Sequence, residues 1–198
     1  MQKVHKVIII PGLGDDTQKV EWAVKNWKNY GLETVVHAVG WRDGENDFEP
    51  KLHRVTDMID LFVKQGNLVS LVGTSAGGSA VLNAFMDRKD SIHKVVNVCG
   101  RLRVGPTSGF RSFEAKTRPS KPFAQSVKLC ESRLESLSEI DLKKIMTVCP
   151  MFGDEAVPSE TTIIQGALNT KVPTTEHILS IAAALTIFSK RMMQFLIY

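Results

Sequence analysis

Several features that define large protein classes are scarce in this sequence. It has only three cysteines, Cys99, Cys130 and Cys149, and they are not clustered. Such a set fits neither a disulfide framework nor a zinc site, so we expect a reducing compartment and a cytoplasmic location. Residues 1–12 contain a four-residue apolar run and no small-residue cleavage site, which predicts no signal peptide. The apolar stretch 178–188 is too short to span a bilayer, so we expect a buried helix and no stable membrane insertion.

Excess charge is also scarce, with 25 basic and 21 acidic residues, and it is unevenly distributed. Residues 101–128 hold seven basic residues and one acidic residue, so the basicity is local and predicts no nucleic-acid partner. The pattern Gly12-x-Gly14 is too short for a dinucleotide fingerprint, and Asp15 and Asp16 are typical of a helix cap. We therefore expect no cofactor and no metal.

The sequence does contain a regular alternation of strand and helix patterns. Buried strands rich in valine and isoleucine are predicted over 4–10, 34–39, 68–73, 94–99 and 145–151, and a short strand around 171–173. Amphipathic helical patterns lie between them. This alternation predicts an α/β protein built as a three-layer sandwich, with a mostly parallel sheet of about six strands and helices on both faces. We expect one domain over 1–198, with a cap-like insertion over 100–138.

Polar side chains of three types follow the predicted strands. Ser75 lies in GTSAGG, between a buried strand and a helix, while Asp154 and His177 follow later strands. In a parallel sheet the ligand site lies at the carboxyl ends of the strands. A serine hydroxyl needs a base to become a nucleophile, histidine can accept its proton, and a carboxylate can orient the imidazole. These residue types in this order indicate nucleophilic catalysis.

Alternatives exist for each of these residues. The serine could belong to a turn without chemical function, since G-x-S-x-G alone is a weak signal. Glu155 and Asp141 are the competing carboxylates. The chain has four other histidines, but only His177 is C-terminal to Asp154; the others are His5, His37, His53 and His93.

These motifs resemble the α/β-hydrolase fold family, in a small lipase- or esterase-like form. GTSAGG resembles the family's nucleophile elbow, GDEAVP its acid loop and GALNTKVPTTEHILSI its last strand and histidine loop. The resemblance implies a catalytic triad of Ser75, Asp154 and His177. It also implies an oxyanion hole formed by the N–H groups of Leu13 and Ala76. Pro11-Gly12 replaces the common His-Gly of lipases, Thr74 replaces a histidine before the nucleophile, and Glu176 replaces a small residue before His177.

The predicted function is therefore a serine hydrolase that cleaves an ester or thioester through an acyl-enzyme intermediate. We expect a small-molecule substrate, contacted by Gly12 and Thr74 near the nucleophile and by Arg111 and Arg118 of the basic segment. Positive charge beside the site would favour anionic substrates. A binding protein that kept the fold and lost turnover is the alternative, as is a peptidase or acyltransferase with the same triad.

Overall fold

The computed structural model describes residues 4–106 and 108–198, so residues 1–3 of the segment examined for a signal peptide lie outside it. Six strands form one all-parallel sheet in the order β2-β1-β3-β4-β5-β6. The strands are β1 (His5–Ile10), β2 (Leu32–Val36), β3 (Leu68–Thr74), β4 (Ile92–Val98), β5 (Ile145–Pro150) and β6 (Leu168–Val172). The predicted parallel sheet of about six strands is confirmed.

Strand β1 shows why the sheet requires helices on both faces. Its last four residues, from Val7 to Ile10, are fully buried. Ile8 and Ile10 pack in one hydrophobic cluster, whereas Val7 and Ile9 pack in a second cluster. Because successive side chains point to opposite faces of a strand, a continuous apolar run requires cover on both sides.

The helices supply this cover in two layers. They are α1 (Thr17–Val24), α2 (Phe48–Lys64), α3 (Gly77–Arg88), α4 (Phe113–Thr117), α5 (Lys121–Arg133), α6 (Glu139–Leu142), α7 (His177–Leu185) and α8 (Ser189–Ile197). Buried residues of α2, α3 and α5 belong to one cluster, and those of α1, α7 and α8 belong to the other. The predicted three-layer sandwich is confirmed.

The segment 100–138 runs from the end of β4 through α4 and α5. Helix α5 packs against α3, where Ser126 Oγ donates to Ser79 Oγ at 2.8 Å and Asn83 Nδ2 donates to the Ser126 carbonyl at 2.9 Å. Phe123 and Val127 extend the hydrophobic cluster on this face. The second half of the segment thus completes a helical layer, and its cap-like role stays a prediction.

The expectation of a buried helix over 178–188 is wrong for five of its eleven residues, which are exposed, and the helix ends at Leu185. Ala184 and Leu185 are buried, but Ile178, Leu179 and Ile187 are exposed. A helix on the outer face of a sheet buries only the stripe that faces the strands, and here the opposite stripe is apolar as well. Among the described residues no single helix is long and apolar enough to cross a membrane, and only α7 and α8 together, bent by 54°, reach that length and composition.

Candidate active site

Ser75 sits on a sharp turn between β3 and α3. Its φ angle is +52°, a left-handed conformation that costs a serine about 1–3 kcal/mol and persists only where the surroundings impose it. The Ser75 N–H donates to the Val98 carbonyl at 2.9 Å, and the Gly78 N–H donates to the Ser75 carbonyl at 3.0 Å. These bonds hold the turn against β4, and the side chain remains partly exposed.

The small residues around Ser75 are explained by close packing. A Cβ atom on Gly73 would lie 2.2 Å from the Gly77 carbonyl oxygen, and a Cβ on Gly77 would lie 2.1 Å from the Ile10 carbonyl oxygen. A Cβ on Gly12, in the loop after β1, would lie 2.9 Å from Ser75 Cβ. The glycines therefore let the loop after β1, the turn and α3 meet at one point.

A continuous chain of hydrogen bonds joins Ser75, His177 and Asp154. His177 Nε2 lies 2.9 Å from Ser75 Oγ, and His177 Nδ1 lies 2.8 Å from Asp154 Oδ2. Both His177 and Asp154 are buried, at 8% and 4% exposure. In this arrangement the imidazole can accept a proton from the hydroxyl while the carboxylate fixes its tautomer.

The Asp154 carboxylate is held in its ionised form. Its Oδ1 accepts hydrogen bonds from Ala156 N–H at 2.7 Å and Val157 N–H at 2.8 Å. Burial alone would raise the pKa of Asp154. The hydrogen bond from His177, the charge of His177 and the two backbone N–H groups outweigh burial and lower this pKa below its usual value.

The competing carboxylates have other partners. Glu155 accepts a hydrogen bond from the backbone N–H of His177 at 3.0 Å, which positions the residue without contacting its ring. Asp141 lies on α6, where its carboxylate accepts from Ser138 and pairs with Lys89 at 3.0 Å. Glu176, the departure from the family pattern, caps α7 by accepting from the N–H groups of Ile178 and Leu179.

Two backbone amides are available next to Ser75. Among the described residues, neither the Leu13 N–H nor the Ala76 N–H donates to a protein acceptor. Leu13 follows Gly12, whose backbone lies against the serine side chain. The two N–H groups that sequence analysis predicted as an oxyanion hole thus belong to segments that meet at the hydroxyl.

The loop after β1 is fixed by Asp15 and Trp41, which sequence analysis did not assign to the site. Asp15 has a φ angle of +47°, and its carboxylate accepts from Val39 N–H at 3.0 Å and Trp41 N–H at 2.8 Å. Trp41 Nε1 donates to the Pro11 carbonyl at 3.3 Å. Asp16 caps α1 as predicted, by accepting from Lys19 N–H. No local pattern distinguishes the bridging role of Asp15 from a second cap.

Solved structures of similar architecture exist, although no family model and no curated protein matches this chain. Est1E from Butyrivibrio proteoclasticus aligns with 100% of this chain and 88% of its own, at 15% identity and a TM-score of 0.66. The monoacylglycerol lipase of Paleococcus ferrophilus aligns over 97% and 93%, at 14% identity and a TM-score of 0.65. A soluble variant of the Saccharomyces cerevisiae monoglyceride lipase aligns over 99% of this chain and 87% of its own, at 15% identity and a TM-score of 0.63.

The chain has the α/β-hydrolase fold. At this level of identity the likeness establishes the fold, and the activities named belong to those proteins. Ligand sites in open parallel sheets lie at the carboxyl ends of the strands, and the Ser75 turn of this α/β-hydrolase-fold protein lies directly at the end of β3.

The remaining predicted site residues, Thr74, Arg111 and Arg118, differ in how they contact the segments that carry Ser75 and Asp154. Thr74 is buried at the end of β3, directly before Ser75. Arg111 is exposed, and its Nη1 donates to the Asp154 carbonyl at 3.2 Å, so the basic segment reaches the acid loop. Arg118 is exposed at the end of α4, and no described contact joins it to the other site residues.

Metal-ligating side chains and cysteine thiols were also considered at this edge of the sheet, within the described residues. The part of the chain that the structure describes contains no group of three or more histidine, cysteine, aspartate or glutamate residues arranged to hold a metal ion. Cys99 and Cys149 follow or end the central strands and are buried. Burial raises the pKa of both thiols, which disfavours the reactive thiolate.

Proposed function

We propose that this protein is a serine hydrolase that cleaves esters or thioesters with a triad of Ser75, His177 and Asp154. The observation that carries the proposal is the unbroken hydrogen-bond chain from Ser75 Oγ through His177 to Asp154, built on a strained turn. The three residues come from separate segments of the chain: His177, at the start of α7, is 102 positions from Ser75 and 23 positions from Asp154. Strain and convergence of this kind cluster at functional sites.

In the acylation step, Ser75 Oγ attacks the carbonyl carbon of the substrate while His177 Nε2 takes the hydroxyl proton. Asp154 stabilises the resulting imidazolium. The carbonyl oxygen becomes an oxyanion, and the N–H groups of Leu13 and Ala76 are the donors proposed to bind it. Collapse of this intermediate expels the alcohol or thiol, which receives the proton from His177, and leaves an acyl-Ser75 ester.

Deacylation repeats the same steps with water. His177 takes a proton from the water as it attacks the acyl carbon, and a second tetrahedral intermediate forms. Its collapse releases a carboxylic acid, returns the proton to Ser75 Oγ and restores the free enzyme. The esterase and lipase names of the similar structures support an ester substrate for this chain.

Labelling with a fluorophosphonate probe tests the nucleophile. The probe should react with the wild type and with Ser108→Ala, a change at an exposed serine in the basic segment, but not with Ser75→Ala. Equal labelling of Ser75→Ala and the wild type would refute the assignment. A labelled protein that turns over no member of an ester and thioester panel would favour the binding-protein alternative, and turnover of amides would favour a peptidase.

Paired substitutions test the acid. Asp154→Asn should lower kcat about 10⁴-fold, because the amide would stabilise the wrong imidazole tautomer. The fold should change little. Asp141→Asn is the matched control, since its carboxylate belongs to the capping box of α6 and contacts Lys89. Loss of activity in the control with retention in Asp154→Asn would show that the acid is misassigned.

We further propose that Arg111 and Arg118 favour anionic substrates. Arg111 supports this proposal because its exposed guanidinium contacts the loop that holds Asp154. The preference for a carboxylate-bearing ester over a neutral ester of equal acyl length should shrink as ionic strength rises. Arg111→Gln with Arg118→Gln should reduce kcat/KM for the anionic ester alone. Equal rates for both esters from low to high salt would refute this preference.

A further inference from the structure

An exposed apolar surface lies on α1, α7 and the turn between α7 and α8. We call it the α1–α7 surface, and its most exposed members are Trp22, Ile178, Leu179, Ile187 and Phe188. A groove of about 660 Å³ runs between α1 and α7 and is lined by Trp22, Ile178 and Ile187. A second groove of about 490 Å³ adjoins it and shares Trp22 and Ile187. The two grooves therefore join Trp22, Ile178 and Ile187 into one surface, and Leu179 and Phe188 are exposed next to these residues in sequence.

The exposure of these side chains is large for residues of their type. Trp22 is 66% exposed, Ile178 is 73% exposed and Ile187 is 81% exposed. Single exposed apolar residues are ordinary, but a contiguous patch on a soluble domain marks an interaction site. Nothing in the packing of the sheet requires these residues to be apolar, because the buried stripe of α7 is formed by other residues, including Ala184 and Leu185.

Basic residues outnumber acidic ones in the segments that carry this apolar surface. Residues 16–30 and 171–198 hold six basic and three acidic side chains, whereas the whole chain has 25 and 21. Lys25 lies 5.2 Å from the centre of the Trp22 ring, and Lys28 and Lys190 are exposed nearby in sequence. Two copies of the chain would bring like charges together around the same patch. The charge therefore disfavours self-association and fits an anionic partner.

We propose that the α1–α7 surface docks on an anionic lipid bilayer. Lysines and arginines bind anionic headgroups, while tryptophan and branched aliphatic side chains enter the boundary between headgroups and acyl chains. Ile187 and Phe188 lie in the non-helical turn between α7 and α8, which are bent by 54° relative to each other, so these two exposed apolar residues lie at a corner of the surface. This shape and charge favour a lipid surface over a flat protein interface.

Docking on this surface also places the bilayer beside the candidate active site. Helix α7 begins at His177, and Ile178 is the next residue. Helix α1 follows directly after the loop that carries Leu13 and Asp15. The docking surface is therefore continuous in sequence with both segments that flank Ser75. The docking itself does not depend on catalysis, so Ser75→Ala should bind vesicles as the wild type does.

Vesicle co-sedimentation tests the proposal with the full chain. Binding to phosphatidylcholine vesicles containing phosphatidylserine should rise with the anionic fraction and weaken with salt, and pure phosphatidylcholine should bind little. Ile187→Asp should lower the vesicle partition coefficient at least about tenfold, because a charge would enter the apolar boundary between headgroups and acyl chains. The variant Lys25→Gln/Lys28→Gln/Lys190→Gln should weaken it roughly fivefold per residue.

Matched controls decide between this surface and others. Ile140→Asp changes a residue of α6 that is 71% exposed, and Lys64→Gln/Lys121→Gln/Lys143→Gln removes three exposed charges elsewhere. Both controls should bind vesicles as the wild type does. Three outcomes would overturn the proposal: no vesicle binding at any anionic fraction, equal losses in controls and surface variants, or a dimer in solution that Ile187→Asp dissociates. A failed Ser75 labelling experiment would leave the vesicle result unaffected.

Discussion

Gly12→Ala is the sharpest test of how closely the loop after β1 contacts the nucleophile. A Cβ at this position would lie 2.9 Å from Ser75 Cβ and 3.4 Å from Ser75 Oγ. The first distance is shorter than two carbon atoms allow, and their optimal separation is about 3.5–4.0 Å. Either the loop or the serine must therefore move by several tenths of an ångström to about 1 Å.

Such a movement should reduce catalysis more than binding. Misplacing reacting groups by about 1 Å costs about 10²-fold in rate, and losing one oxyanion donor costs about 10²–10³-fold. We therefore expect Gly12→Ala to lower kcat about 10²-fold, with a smaller change in KM. The φ angle of Gly12 is not in the left-handed region, so backbone strain adds nothing to this figure.

Gly14 provides a matched control in the same loop. A Cβ on Gly14 would meet no atom within 4 Å, and its φ angle also lies outside the left-handed region. Gly14→Ala should keep kcat and raise stability by about 0.4–1 kcal/mol through the entropy of the unfolded chain. The assay is the steady-state hydrolysis of one ester, with active enzyme counted by fluorophosphonate titration and folding followed by thermal melts. Full kcat in folded Gly12→Ala would refute the contact between loop and nucleophile.

Two further predictions concern Asp15 and His5. Asp15→Asn keeps a residue type that tolerates a positive φ but removes the negative charge that accepts hydrogen bonds from Val39 and Trp41. The free energy of unfolding from urea melts should therefore fall by about 1–3 kcal/mol, and kcat should fall about tenfold. Unchanged kcat in that variant would mean that the loop keeps its shape without this bridge. Burial, and then the charge of His93, lower the pKa of His5 from 6.5 to about 4. Between these two pH values the unfolded chain binds more protons than the folded chain. The free energy of unfolding should therefore fall as the pH drops from 6.5 to about 4. Because solvent screens this half-buried group, the loss is limited to about 1–2 kcal/mol. His5→Gln should flatten the dependence of stability on pH in this range. An unchanged pH dependence in the variant would show that other groups cause it.

The sequence was sufficient to predict a parallel sheet of about six strands and the turn that carries Ser75. The run 7–10 is apolar without alternation, and a strand covered on both faces accommodates such a run. The glycines around Ser75 indicated a turn between a buried strand and a helix. These signals are local, since burial pattern and turn chemistry act over a few residues, so they can be read without knowing the neighbouring elements.

The partners of Ser75 depend on tertiary structure. Sequence order favoured Asp154 and His177, but Glu155 and Asp141 have the same chemistry, and only the folded chain shows that Asp154 alone of these contacts the imidazole ring. Asp15 was interpreted as a cap because its bonds to Val39 and Trp41 cross 24 and 26 positions of sequence. Contacts between residues so far apart in sequence depend on the order of the strands in the sheet.

The exposed stripe of α7 is a case in which the sequence alone led to a wrong prediction. Its apolar residues predicted a buried helix, because hydrophobicity in a sequence normally reports contact with a core. The fold places α7 on the outer face of the sheet, where one stripe packs and Ile178 and Leu179 face outward. The sequence by itself determined that α7 is rich in apolar residues. Only the tertiary structure decided which side meets the core, because a helix can turn only one stripe toward the strands that it covers.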